Sequence, residues 1–172
     1  MNICMIVHQD YFTDGRVKRY AESLVERGHL VDVLCVRSEK SVDAVPPDGI
    51  RVFQIPLSRH YSGLFSYIME YGISFLLYAV MLLYMSLRRH YQVIHVHNMP
   101  DFLVFTTIPQ RLMGSRIILD IHDPMPEFFM SKYDKDADSL MVRLLRLQEQ
   151  LSTRYAHFVV TANTNFKVKV SE

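Results

Sequence analysis

Two short apolar runs in this chain each end in ionisable side chains. Ile117–Phe129 reads IILDIHDPMPEFF and delivers Asp120, His122 and Asp123, after which Pro124 and Pro126 are expected to stop regular structure. Gln92–Asp101 reads QVIHVHNMPD and delivers His97 and Asn98. Imidazoles and carboxylates placed like this can move protons, stabilise developing charge and orient a hydroxyl nucleophile. They can also ligate metal, so His95, His97, Asp101, His122 and Asp123 admit a second chemistry, metal-dependent hydrolysis. His-x-His puts both rings on one strand face, which zinc can use if a facing strand supplies a further ligand in register. His95 itself lies mid-strand and reads as a core histidine.

Side chains like these converge only if buried strands end together. Ile3–Val7 is a strand, and Gly15–Arg27 follows as a helix with Val17, Tyr20, Ala21, Leu24 and Val25 at helical spacing. Thr13 or Asp14 can cap it and Gly28 ends it. Leu30–Val36 completes a right-handed βαβ unit. Arg51–Ile55, Gln92–Val96, Arg116–Ile121 and His157–Thr161 read as further strands. Between them, Pro100 opens a helix that runs to Gly114 and bends at Pro109, and Ser139–Tyr155 carries Leu140, Leu144, Leu147, Leu151 and Tyr155 on one face. A last helix is expected from Asn165, capped by Asn163 or Thr164.

This order predicts an α/β fold, a doubly wound Rossmann-like parallel sheet with helices on both faces, built as one domain over residues 1–172. In the strand order 3-2-1-4-5-6 the first and fourth strands meet at the switch point. That order would gather His8, His97, Asn98 and Asp101 around one crevice, with His122 and Asp123 one strand away.

Composition narrows the function. A net charge of +1 with 22% charged residues carries no basic stripe, so a nucleic-acid partner is not expected. Cys4 and Cys35 read as small buried residues of a reducing compartment. The N-terminus MNICMIVHQD has no signal-peptide pattern, which points to a cytoplasmic location. The first strand–helix loop holds Tyr11, Phe12 and a single glycine, Gly15, rather than GxGxxG, so no NAD or FAD is expected. No metal is expected either.

Leu64–Leu87 is apolar apart from a few polar residues, with Glu70 its one charge and Arg88-Arg89 after it. As a helix it would be roughly 36 Å long, enough to cross a membrane. Spanning would put neighbouring strands of one sheet on opposite sides of a bilayer, so a crossover helix is expected instead. Either it is buried against the sheet, or its outer face rests on a membrane or partner, with Arg88 and Arg89 near lipid phosphates. The loop Arg59, His60 and Tyr61 before it is a further candidate for substrate contact.

Three stretches resemble the N-terminal, acceptor-side domain of the family 4 glycosyltransferases, retaining enzymes of GT-B architecture. They are RVKRYAESLVERGHLVDVLCV, YQVIHVHNMPD and IILDIHDPMPEFF, in that order across nearly the whole chain. The first follows the family's "R…A..L...GH.V.V" pattern, HVHN its His-x-His strand exit, and DIHD the strand end that carries a functional histidine. The resemblance implies that His122, with Asp123 beside it, faces the transferred sugar. It implies an acceptor cleft lined by His97 and Asn98. Beside these, His8, Asp14, Arg16, Asp101 and Glu127 are further acceptor-binding candidates. The first loop departs from the family in lacking two adjacent glycines. In the family's retaining reaction the leaving phosphate helps deprotonate the acceptor, so His122 need not be a general base.

The implied substrates are a nucleotide-sugar donor and a glycan or lipid-linked acceptor in polysaccharide or cell-envelope synthesis, with no cofactor. Family members bind the donor mainly through a C-terminal domain with a Glu-x7-Glu motif, which this sequence does not contain. The chain is therefore expected to need that domain, or a partner chain supplying it, for hexosyltransferase activity, and to be inactive alone. The remaining alternative is a non-catalytic docking subunit acting through Leu64–Leu87.

Overall fold

The computed structural model describes residues 1–38, 44–57, 64–98, 100–134 and 136–161. The loop of Arg59, His60 and Tyr61 and the helix expected from Asn165 lie outside the described residues. Strands β1 (Asn2–Val7), β2 (Leu30–Val36), β3 (Ile50–Ile55), β4 (Val93–His97), β5 (Arg116–Ile121) and β6 (Phe158–Thr161) form one parallel sheet. Its order is β3-β2-β1-β4-β5-β6, so β1 and β4 are neighbours at the switch point.

The central strands β1, β2, β4 and β5 are largely apolar on both faces because both faces are covered, whereas the edge strand β6 leaves Phe158, Val159 and Val160 exposed. Helix α1 (Gly15–Glu26) seats Val17 and Ala21 on Ile3, Met5, Val7, Val31 and Val33. On the other face, helix α2 (Leu64–Arg88) seats Tyr78, Leu82 and Met85 on Cys4, Ile6, Ile94 and Val96. Each large apolar side chain so buried contributes about 1.5–3 kcal/mol. Cys4 and Cys35 belong to these opposite layers and are both free thiols. Asp14 caps α1 by accepting from the backbone N–H groups of Arg16 and Val17, and Gly28 leaves the helix with φ +79°, a conformation glycine adopts without strain.

Two proline expectations are corrected. Residues 100–114 do not form one kinked helix. Asp101–Thr107 is a 3-10 helix, tightened by the hydroxyls of Thr106 and Thr107 donating to Leu103 O and Val104 O. Pro109 then lies in the first turn of helix α3 (Ile108–Leu112), where its missing N–H is not needed. Likewise Pro124 and Pro126 do not stop regular structure. They start helix α4 (Met125–Tyr133), with Pro124 at the cap and Pro126 in the first turn. Helix α5 (Leu140–Tyr155) forms where the periodicity predicts it, with Ser139 as its cap rather than its first residue. Its leucine face is the outer one, since the buried residues are Val142, Glu149 and Ser152.

Asp32, wholly buried on β2, anchors the amino-terminal end of the sheet. It accepts from Arg51 Nε at 2.8 Å, Tyr91 Oη at 2.5 Å and Arg89 at 3.3 Å. Arg89 is thus turned inward onto the sheet, not out toward lipid. Arg88 alone of that pair is exposed, lying over the Tyr84 ring at 4.4 Å.

Candidate active site

The register of β4 and β5 builds the densest polar cluster. His95 and His97 are two residues apart and share a face, and His97 pairs directly with Asp120 on β5. His97 Nδ1 lies 3.1 Å from Asp120 Oδ2, His95 Nε2 lies 4.0 Å from the same oxygen, and Arg16 reaches it from α1 at 3.5 Å. The two imidazole rings are 4.1 Å apart, and Tyr20, one turn along α1 from Arg16, lies against both. His97 is fully buried, His95 and Asp120 nearly so.

Burial and charge act in opposite directions here. Burial disfavours the charged imidazole of His95, and the neighbouring His97 and Arg16 add to this, so its pKa falls to about 3 despite the Asp120 carboxylate. Burial alone would raise the Asp120 carboxyl. The His97 hydrogen bond and the Arg16 guanidinium outweigh it and hold Asp120 below the usual carboxylate range. The result is an ionised carboxylate balanced by Arg16 beside a neutral His95. The Nε2 atoms of His95 and His97 and Nε of Arg16 have no hydrogen-bond partner among the described residues.

Asn98, the first residue after β4, ties the two strand exits together. Its amide donates to Asp101 Oδ1 at 2.9 Å and to the carbonyl of Asp123 at 2.8 Å, while its Oδ1 accepts from His122 N at 2.9 Å. Its own N–H bonds Asp120 O. This clamp fixes the backbone of residues 122–123 against the end of β4. His122 is half-buried, Asp123 is exposed, and Glu127 is half-buried in the first turn of α4. Asp101 is fully buried, and burial pushes its carboxyl up to about 6 although the Asn98 amide works against this.

The expected residues therefore divide. His97, Arg16, Asn98, Asp101, His122 and Asp123 belong to one connected network at or beneath the strand exits. His8 points to the opposite face of the sheet, packed on Tyr71 and Tyr78 of α2 at 5.7 and 5.8 Å between ring centroids. Asp14 is occupied as the helix cap. Sequence reasoning read His95 as core outside the metal alternative, named Asp120 only as a strand-end carboxylate, and gave Tyr20 no role beyond the helix face. The signal was available, because the strand period of two puts His95 with His97 and Asp120 with His122.

One chemical question concerns metal. His95, His97 and Asp120 offer three ligand atoms within 4.8 Å of one another. The set differs from the one the sequence suggested, since Asp101, His122 and Asp123 are not among its ligands and Asp120 is. Arg16 already neutralises Asp120, so an entering cation would meet a fixed positive charge on its only anionic ligand.

Comparison with known proteins gives a family and a fold. The model of the glycosyl transferase 4-like domain matches residues 15–167. No curated protein matches the chain. Among solved structures, sucrose-phosphate synthase from Thermosynechococcus elongatus superposes with TM-score 0.66 at 12% identity, over 99% of this chain and 81% of that one. UGT2 of Phytolacca americana, complexed with UDP-2-fluoro-glucose and pterostilbene, gives 0.64 at 11% identity over 93% of this chain. UGT89C1 of Arabidopsis thaliana, complexed with UDP, gives 0.58 at 13% identity over 99% of this chain. This chain spans 47% of each of the two UGT chains.

Proposed function

The chain belongs to the glycosyl transferase 4-like family, with the Rossmann-like sheet of one half of a GT-B enzyme, and from that premise we propose that it is the acceptor-side domain of a hexosyltransferase. The donor is a nucleotide-sugar, bound with a second domain on this or a partner chain. The acceptor is a glycan or lipid-linked glycan of polysaccharide or envelope synthesis, met at the cytoplasmic face of a membrane. No cofactor is needed.

The observation that carries the reading is the Asn98 clamp, which holds His122 at the exit of β5 beside the exit of β4. Ligands of open α/β sheets lie in that position. In the transfer, the bond from the sugar's anomeric carbon to the donor phosphate breaks and a bond to the acceptor oxygen forms. The acceptor's proton passes to the departing phosphate. His122 and Asp123 face the sugar and stabilise its developing positive charge, while Glu127 and the edge of Arg16 orient acceptor hydroxyls. Asp120 and His97 act one layer beneath, as positioning residues for Arg16. The UDP-bound UGT structures share this sheet, which supports a nucleotide diphosphate as the donor's leaving group.

Ligand-observed NMR tests the assignment by titrating the chain with UDP- and GDP-sugars and, separately, with short glycans. Glycan binding that is lost in His122→Ala, with little binding of nucleotide, is the expected result; nucleotide binding alone, or no glycan contact, would overturn it. The three-ligand cluster of His95, His97 and Asp120 favours the metal-dependent hydrolase as a second reading. Zinc titration followed by calorimetry separates the two, and a stoichiometric site lost in His97→Ala would favour the hydrolase.

A further inference from the structure

Three elements cover one face of the sheet side by side: α2, the 3-10 helix with α3, and α5. Their outer surfaces are not what water selects. On α2 the buried residues Ser74, Tyr78, Leu82 and Met85 recur at helical spacing, which leaves the opposite side outward. That side carries Ile73, Leu76, Val80, Leu83 and Leu87, all exposed, and only 22% of the stretch Tyr71–Arg88 is buried. At the end of α3, which is in contact with α2, Leu112 and the capping Met113 are exposed. On α5, Leu140, Leu144, Leu147 and Leu151 are exposed and fall within an arc of about 60° at 100° per residue. Exposed apolar residues scattered singly are ordinary, but a layer shared by three adjacent elements is not.

Charge identifies what covers this layer. Arg88 ends α2, Arg143 and Arg154 border one edge of the leucine arc of α5, and Arg146 lies further round the same side, all four exposed. None of them is in an ion pair with a carboxylate among the described residues. Among the described side chains of these elements, the acids Asp101 and Glu149 are buried. Exposed acids near the layer, Asp136 and Asp138, stand before the first turn of α5, and the apolar surface edged by unpaired arginines matches an anionic lipid surface. Apolar side chains enter the acyl boundary while guanidinium groups meet headgroup phosphates.

We propose that α2, α3 and α5 together form a membrane-docking face, by which the domain lies on an anionic bilayer without crossing it. The face flanks the sheet and leaves the strand exits open, so a domain docked in this way presents its crevice beside the headgroups. The proposal does not depend on the transferase reading, and its test measures no transfer.

The test is co-sedimentation of the full chain with vesicles of phosphatidylcholine alone or containing phosphatidylglycerol, with light scattering to give the oligomeric state. Binding to the anionic vesicles is expected, weakened by salt. The triple variant Arg143→Gln, Arg146→Gln, Arg154→Gln should bind on the order of a hundredfold more weakly, at about fivefold per arginine. Leu144→Asp with Leu151→Asp should abolish binding, and circular dichroism should show that these surface variants remain folded. Equal binding to both vesicle types would overturn the role of the arginines. No vesicle binding, together with a dimer that the leucine variant dissociates, would overturn the docking face in favour of a second copy. Binding that survives alkaline carbonate washing would overturn peripheral docking in favour of insertion.

Discussion

His95→Gln should remove one defined part of the acid sensitivity of this domain between pH 7 and pH 5. His95 is nearly buried, and burial with the neighbouring His97 and Arg16 lowers its pKa to about 3. In the unfolded chain an imidazole titrates near 6.5. As pH falls below that value the unfolded state takes up a proton that the folded state refuses, so stability is lost, and the loss continues down to the folded pKa. Integrating the proton difference from pH 7 to pH 5 gives a loss on the order of 2 kcal/mol from this one side chain. For a domain of this size that corresponds to a fall in Tm of roughly 4–8 °C. The assay is urea unfolding of both proteins at the two pH values. Because other titrating groups are common to both, the stability gap between wild type and variant should change by about this amount. Parallel pH dependences would refute the reasoning. They would mean that His95 is already charged in the folded state, held by Asp120 at 4.0 Å despite its burial.

Two further perturbations separate structure from chemistry. Asp32→Asn should lower stability by about 3 kcal/mol in denaturant titration, because it leaves Arg51, Arg89 and the buried Tyr91 hydroxyl without the anion they share. It should leave glycan binding by the folded protein intact, since Asp32 lies at the opposite end of the strands. Asn98→Ala should cost about 1–3 kcal/mol by orphaning Asp101 Oδ1 and the His122 N–H. In the complete enzyme it should lower kcat more than it raises KM if Asn98 positions His122. A rise in KM alone would make Asn98 an acceptor contact.

The strand order was legible because each strand is a short apolar run bounded by turn residues, and right-handed crossovers leave few topologies. The cluster under the strand exits was half legible. Side-chain parity along β4 and β5 places His97 beside Asp120, but which helix residue reaches that carboxylate depends on how α1 lies across the sheet. Arg16 and Asp120 are each visible in the sequence, but their pairing is not. His8 shows the reverse failure. It follows β1 at the switch point, but its parity matches Cys4 and Ile6, so its ring goes to the α2 face. In the sequence Pro109 reads as a kink and Pro124 and Pro126 as stops, because each interrupts an apolar pattern. Each stands in or next to the first turn of a helix, where a missing donor carries no penalty.

Helix α5 shows what periodicity leaves undecided. A leucine at every third or fourth position defines a face, and the usual inference turns that face toward the core. Here the core side is held by Val142, Glu149 and Ser152, and the leucines look outward. Contacts at its two ends hold this inverted helix in place. Ser139 caps it, Tyr155 meets Thr107 at 3.0 Å, and Arg111 stacks on the Tyr155 ring at 4.4 Å while donating to its carbonyl. Those contacts lock α5 to the 3-10 helix and α3, which themselves abut α2. The three outer apolar surfaces are therefore held in one orientation and act as a single patch. A bilayer that engages the arginines of α5 must also meet Leu112 and the outer side of α2. Docking should then be cooperative between elements: charge reversal on α5 alone should weaken the insertion of α2, read as a change in the environment of a fluorophore attached near Val80.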